Sequence, residues 1–130
     1  MASALLTVEN LTKSYGDKVL FEDISFGINA GQKTALIARN GYGKSTLMNI
    51  IGCLDQADSG DYYLIGLPIE DYSENELARI RNRQIGFLFQ NFNLIGGLSA
   101  WENVELPLIY QKVPAKERNA RVREALERVN

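Results

Sequence analysis

Histidine is missing from all 130 residues. Imidazole general bases, imidazole metal ligands and Ser-His-Asp triads are therefore excluded together. Cys53 is the only cysteine, which rules out an internal disulfide and argues against a structural zinc site. A lone thiol suits a reducing compartment. Apolar runs are short, and none approaches the ~20 residues of a membrane-spanning helix. The opening MASALLTVEN reaches Glu9 without a basic segment leading into an apolar one, so no secretory signal is expected. Basic residues are not in excess: 14 Lys and Arg stand against 16 Asp and Glu, a net charge of −2. Direct nucleic-acid binding needs a basic face, and this balance argues against it. Any chemistry must rest on carboxylates, lysine, amides, backbone groups and a metal carried in with a substrate.

What is present reads as a globular domain, 45% hydrophobic and 23% charged. ALLTVENLTKSY and KVLFEDISFGI are β-branched or aromatic stretches separated by Gly16-Asp17, which predicts an antiparallel meander. KTALIA, Lys33 to Ala38, is apolar without alternation and predicts a strand buried on both faces. STLMNIIGCL predicts a helix with Leu47, Ile50, Ile51 and Leu54 on one side. DYYLIG follows the Ser59-Gly60 turn as another strand. Ser73 with Glu76, and Ser99 with Glu102, form two capping boxes that open helices. QIGFLFQ predicts a short buried strand, Ile85 to Phe89. Pro107 is expected to kink or end the second capped helix. Pro114 stands near the first position of a last helix, with Ala115, Val122, Ala125, Leu126 and Val129 as its apolar side. Glu117/Arg121 and Glu124/Arg128 are supportive i,i+4 pairs. Strands interleaved with helices indicate an α/β fold.

The sharpest motif is Gly41-Tyr42-Gly43-Lys44-Ser45-Thr46, between the KTALIA strand and an apolar helix. Glycines let successive N–H groups converge into a nest that binds phosphate. The helix start adds its positive end. Lys44 can reach β- and γ-phosphates, the Ser45 hydroxyl can ligate Mg²⁺, and Thr46 would lie near the α-phosphate. The plainer alternative is a glycine-rich turn before a helix. Ala38 stands where such loops usually begin with glycine; alanine suits that place if its φ is negative, and costs on the order of 1 kcal/mol if φ is positive. Tyr42 is bulky, but its side chain can point away from the nest.

With NGYGKST preceded by LTKSYG and followed by IGFLFQNFNL, the chain resembles the nucleotide-binding domain of ABC ATPases, over about residues 5 to 129. The resemblance implies an α/β fold: a P-loop NTPase core, with part of a parallel sheet and helices, plus an N-terminal antiparallel β-subdomain. It implies one truncated domain over residues 1–130. The β-rich part would cover about 4–37, the core about 33–110, and the start of a helical subdomain about 112–130. ATP or ADP with Mg²⁺ would be the ligand. Tyr15 matches the aromatic residue that stacks on adenine; the alternative is an ordinary tyrosine at a strand end. Asn40, Gly41, Tyr42, Gly43, Lys44, Ser45 and Thr46 match the phosphate loop. Gln90 matches the glutamine that approaches Mg²⁺ and the attacking water; the alternative is a strand terminus. Lys44 and Gln90 are thus the catalytic candidates, and Ser45 and Gln90 the metal candidates. NFNLIGGLSAWENVELPL is similar to the surface that meets a transmembrane subunit, although a plain loop and helix with a buried Trp101 would read the same way.

The likeness changes along the chain. Up to about Thr46 it resembles the ABC-F type, the soluble translation factors and resistance proteins. From Leu47 it resembles the bacterial exporter ATPases for lipoproteins and macrolides. That change suggests a chimeric or designed chain, with an unusual natural member, an ABC-F ribosome-associated ATPase or a scaffold without function as alternatives. The family's signature, Walker B aspartate, catalytic glutamate and switch histidine are not found in these residues. VLFED, IIGCLD and IGGLS superficially resemble them and read as structural. The expectation is nucleotide binding with weak or absent hydrolysis, at the cytoplasmic face of a membrane. Expected partners are a second nucleotide-binding domain and a transmembrane subunit, with a tendency to self-association.

Overall fold

The computed structural model describes residues 4–89 and 93–129. Two long strands come first, β1 (Ala4–Tyr15) and β2 (Lys18–Asn29), paired antiparallel across the turn at Gly16-Asp17. They are followed by α1 (Lys44–Ile51), β3 (Ser59–Leu64), β4 (Leu67–Pro68), α2 (Glu74–Gln84), α3 (Ala100–Tyr110) and α4 (Ala115–Glu127). The strands form one antiparallel sheet in the order β2-β1-β3-β4. With four helices in the same chain, the α/β class expected from sequence holds.

The chain divides into two compact units, Met1–Ile80 and Arg81–Asn130. In the first, β1 supplies the core. Leu6 and Val8 alternate inward, then an irregularity at Glu9-Asn10 shifts the register, with Asn10 at φ 51°. The extra residue resets the alternation, so Leu11 and Lys13 return to the buried face. Gly60 sits against this irregularity at φ 95°, and a Cβ there would lie 2.4 Å from the Asn10 carbonyl oxygen. Only glycine allows β3 to pass this close. Leu47 and Ile50 of α1, Cys53, Tyr62 and Leu64 of β3, Ile69 and Leu77 complete the buried set of this unit. The Tyr62 hydroxyl donates to the Ile51 carbonyl at 2.6 Å, tying β3 to the end of α1.

In the second unit, Ser99 and Glu102 form the full capping box at the start of α3. Arg118 of α4 reaches Glu105 of α3 at 2.8 Å and the Val113 carbonyl at 2.9 Å. The pairs Glu117/Arg121 and Glu124/Arg128 close at 2.5 Å, as their spacing predicts. At α2, Glu76 accepts from the Ser73 N–H and hydroxyl at 2.9 and 2.6 Å, which supplies the reach-back half of the expected box.

Several expectations need correcting. Lys33 to Ala38 is not a buried strand: it has no strand pairing, and Ile37 is 91% exposed. Ile85 to Phe89 is likewise unpaired, with Leu88 fully exposed at 100%. Apolar runs create a demand for burial but do not supply the neighbouring strands that satisfy it. Phe87 and Phe89, two apart on one side of the extended run, stack on each other with near-parallel rings 5.2 Å apart. α1 ends at Gly52, so Leu54 falls beyond the helix and is exposed. Pro107 does not end α3, which continues to Tyr110. A proline removes only its own N–H, and the Pro107 carbonyl still accepts from the Gln111 N–H at 3.1 Å and Asn82 Nδ2 at 3.3 Å. Pro114 does stand next to the first helical residue, as the N-cap of α4, but of the expected apolar side only Val122 is buried.

These differences give the first prediction. Leu11→Ala should lower unfolding stability by about 2–5 kcal/mol, as for other leucines deleted from packed cores. Ile37→Ala should change it by no more than about 0.5 kcal/mol, as at exposed positions. Urea unfolding of the two variants checks this; comparable losses would mean Ile37 is packed.

Candidate functional site

The phosphate-loop residues form one local structure. The chain turns at Asn40 and Gly41, and Gly41 and Gly43 both have left-handed backbones, at φ 84° and 79°. α1 then starts at Lys44 with Gly43 as its N-cap and no side-chain cap. The first helical bond runs from the Leu47 N–H to the Gly43 carbonyl at 2.8 Å. By helix geometry, the N–H groups of Lys44, Ser45 and Thr46 have no acceptor within the helix. Converging N–H groups at the positive end of a helix are the features that hold an anion. Tyr42 is exposed.

β2 supports this loop from the side. A Cβ on Gly43 would lie 3.0 Å from both Leu20 Cβ and Phe21 Cδ1. Glycine at 43 is therefore required by close packing as well as by φ. Ala38 has no positive φ, so the alanine at the usual glycine position is unstrained.

Lys18 is a residue that the sequence reading missed. Its Nζ lies beside Gly41, 3.8 Å from where a Cβ there would be. Lys18 is also the cross-strand partner of Tyr15. The tip of the β1–β2 hairpin thus brings Tyr15, the adenine-stacking candidate, to the edge where the phosphate loop lies. Hairpin pairing at Gly16-Asp17 could have placed Lys18 opposite Tyr15, but nothing local in the sequence brings it to Gly41. Gln90, the remaining candidate, lies outside the described residues.

A polar cluster surrounds Tyr15. Lys13 Nζ donates to the Gln56 carbonyl at 2.6 Å and pairs with Asp58 at 3.2 Å and Asp55 at 3.7 Å. The Tyr15 hydroxyl donates to Asp55 Oδ2 at 2.7 Å. Asp58 Oδ2 accepts from the Ser14 N–H and hydroxyl at 2.7 and 3.0 Å. Burial opposes the charge on Lys13, but the Asp58 hydrogen bond and both carboxylates outweigh it, and its pKa is raised. Burial likewise opposes the charge on Asp55, while hydrogen bonds from Tyr15 and the Gln56 N–H prevail and lower its pKa. The Ser14 N–H and hydroxyl lower that of Asp58. These carboxylates are engaged, and Asp55 at the exit of α1 has a structural setting, as expected. VLFED lies in the first half of β2 and continues the strand rather than ending it.

Among the described residues no group of three or more His, Cys, Asp or Glu could hold a metal ion. The exposed Ser45 hydroxyl at the start of α1 fits a Mg²⁺ that arrives on phosphate oxygens and keeps most of its water. A cavity of about 160 Å³, lined by Leu11, Cys53, Asp55, Gln56, Tyr62 and Leu77 among others, adjoins the polar cluster around Tyr15 and includes none of the phosphate-loop residues.

The chain is similar to known proteins. The family described as ABC transporter matches residues 21–130. The chain is 47% identical, over 96% of its length, to the uncharacterized ABC transporter ATP-binding protein YvrO of Bacillus subtilis, of which it spans 56%. It is 41% identical to the macrolide export ATP-binding/permease protein MacB of Salmonella typhimurium, covering 98% of this chain and 20% of that one. Among solved structures, the ATP-binding cassette MJ0796, as a dimer in a post-hydrolysis state bound to ADP and Pi, matches with a TM-score of 0.83 and 39% identity. That match covers 94% of this chain and 56% of the cassette. The chain thus spans little more than half of its shorter relatives. No described helix is long and apolar enough to cross a membrane.

Two substitutions test the loop. Gly43→Ala should destabilise the fold by about 1–3 kcal/mol, the usual cost of overpacking, and weaken binding of a fluorescent ATP analogue. Ala38→Gly should bring no gain in that binding. A tighter Ala38→Gly variant would show that the alanine does strain the loop.

Proposed function

This chain belongs to the ABC transporter family, as part of its ATPase, and on that premise we propose that it binds ATP or ADP with Mg²⁺ in the loop Asn40 to Thr46. The observation that carries this reading is the loop itself: two left-handed glycines leading into a helix with no side-chain cap. Backbone N–H groups from Gly41 to Thr46 would cradle the phosphates, and the Lys44 ammonium would reach the β- and γ-phosphates. Asn40 opens the turn and Tyr42 carries its backbone through it. Ser45 would hold Mg²⁺, which when bound neutralises charge on the phosphate oxygens. Thr46 would lie at the α-phosphate, and Lys18 beside Gly41 would add a second positive charge. Tyr15 would stack on adenine, giving contact area with little demand on sequence. Gln90 keeps its proposed role beside Mg²⁺ and the attacking water.

Hydrolysis by these residues alone is proposed to be very slow. Phosphoryl transfer needs positioning, metal, water orientation and charge stabilisation together. The loop supplies the first and part of the last, and among the described residues no group of three or more acidic residues could hold a metal ion. By relationship, residues 1–130 are proposed to be part of one nucleotide-binding domain that pairs with a second such domain. A transmembrane subunit would meet the segment containing Trp101, at the cytoplasmic face of a membrane. The export proteins among the relatives support transport over a ribosome-associated role.

A titration with a fluorescent ATP analogue should give saturable binding that Lys44→Ala weakens at least about tenfold, the loss expected for a hydrogen-bonded charge. Purified chain should show no ATP turnover above that of Lys44→Ala; robust turnover abolished by that substitution would overturn the slow-hydrolysis reading. The bare apolar runs around Ile37 and Leu88 also support self-association. Light scattering should show a mass that rises with concentration, whereas a constant monomer mass with a cooperative melt would refute it.

A further inference from the structure

Tyr15 is held more firmly than stacking on a base requires of a surface aromatic. It stands two residues beyond Lys13, on the same side of β1, and the Lys13 ammonium lies over its ring, 5.2 Å from the centroid. Lys13 is only 9% exposed, so this face of the ring is turned to protein. The hydroxyl is fixed separately, by its 2.7 Å bond to Asp55. Even so, the tyrosine is 55% exposed. One face is backed by a buried cation, one end is tethered, and the remaining face is open.

Asp55 also has partners other than the tyrosine. Its Oδ1 accepts from the Gln56 N–H at 2.8 Å and lies 3.7 Å from Lys13 Nζ. Lys13 in turn is fully engaged by the Gln56 carbonyl and Asp58. Those bonds alone fasten the segment after α1 to β1. The hydroxyl bond adds orientation of the ring to that fastening. A tyrosine fixed before its ligand arrives loses less side-chain freedom on binding.

We infer that Lys13 and Asp55 are positioning residues for Tyr15, holding its ring so that the free face receives the planar base of the nucleotide. Lys13 sets the depth of the ring and Asp55 its rotation, and neither touches the nucleotide. The inference rests on the stacking role given to Tyr15 above, and the test separates the two.

The experiment is calorimetric titration of the chain with MgATP and, separately, with Mg²⁺ tripolyphosphate, which carries phosphates but no base. Tyr15→Phe keeps the stacking face and removes the tether. Asp55→Ala removes the acceptor. Each should weaken MgATP binding about three- to tenfold, the range for one hydrogen bond, and leave tripolyphosphate binding unchanged. The double variant should be no weaker than either single one, because both remove the same bond. A merely structural role would lower both affinities together, and that result overturns the inference. So does a Tyr15→Ala variant that loses MgATP affinity while Tyr15→Phe and Asp55→Ala do not. If Tyr15→Ala itself leaves MgATP binding intact, the stacking role fails first and the positioning role falls with it. Should Asp55→Ala not fold, Tyr15→Phe decides alone, since it removes one oxygen from an exposed ring and leaves every Lys13 pair in place.

Discussion

The pairing of β1 on both of its edges is the constraint from which the rest of the first unit follows. β2 satisfies one edge and β3 the other, so β1 can carry the most deeply buried residues, Val8 and Leu11. The register of β2 on β1 decides what lies under the phosphate loop, because Leu20 and Phe21 are the side chains that Gly43 packs against. The register of β3 decides what approaches Tyr15. Thr12 pairs with Ser59, which places Asp55 to Asp58 beside the end of β1. A one-residue slip in either pairing would turn opposite side chains toward the loop. The site is therefore positioned by strand register more than by the loop's own sequence.

That dependence explains what could be read from the sequence. Features set within a few residues were legible: the Gly16-Asp17 turn, the Ser99–Glu102 box, the i,i+4 pairs of α4, and the glycine–lysine–serine run itself. Features set by distant partners were not. Lys13 meets Gln56, 43 residues away, and Ser14 meets Asp58, 44 away. No periodicity reveals such a meeting. The same limit misled the reading of Lys33 to Ala38 and Ile85 to Phe89. Their hydrophobicity is a property of the segment, whereas a buried parallel strand is a property of the segment and its neighbours. Among the described residues those neighbours are absent from the ladder, and the runs stand bare.

Charge placement follows a similar logic. A lysine as buried as Lys13 would be costly alone, because burial disfavours its charged form. Two carboxylates and a carbonyl reverse that balance, and the ammonium keeps its proton. Because the pair is partly screened from solvent, it fixes geometry better than an exposed ion pair does. Glu117/Arg121 and Glu124/Arg128 make the contrast: shorter, at 2.5 Å, but on exposed side chains that solvent screens.

The loop's one departure from the usual pattern can now be weighed against its neighbours. A glycine is needed where φ is positive or where a Cβ has no room. Ala38 meets neither condition, and it lies before the turn that shapes the nest. Gly43 meets both, with φ 79° and two β2 side chains at 3.0 Å. The loop is thus defined at its helical end, where β2 presses on it and the unpaired N–H groups begin. Its other end, at Ala38, bears no such constraint, so a methyl group there leaves the phosphate-facing geometry unchanged. What sets the nest is the contact between Gly43 and β2, which joins the loop to the hairpin that presents Tyr15.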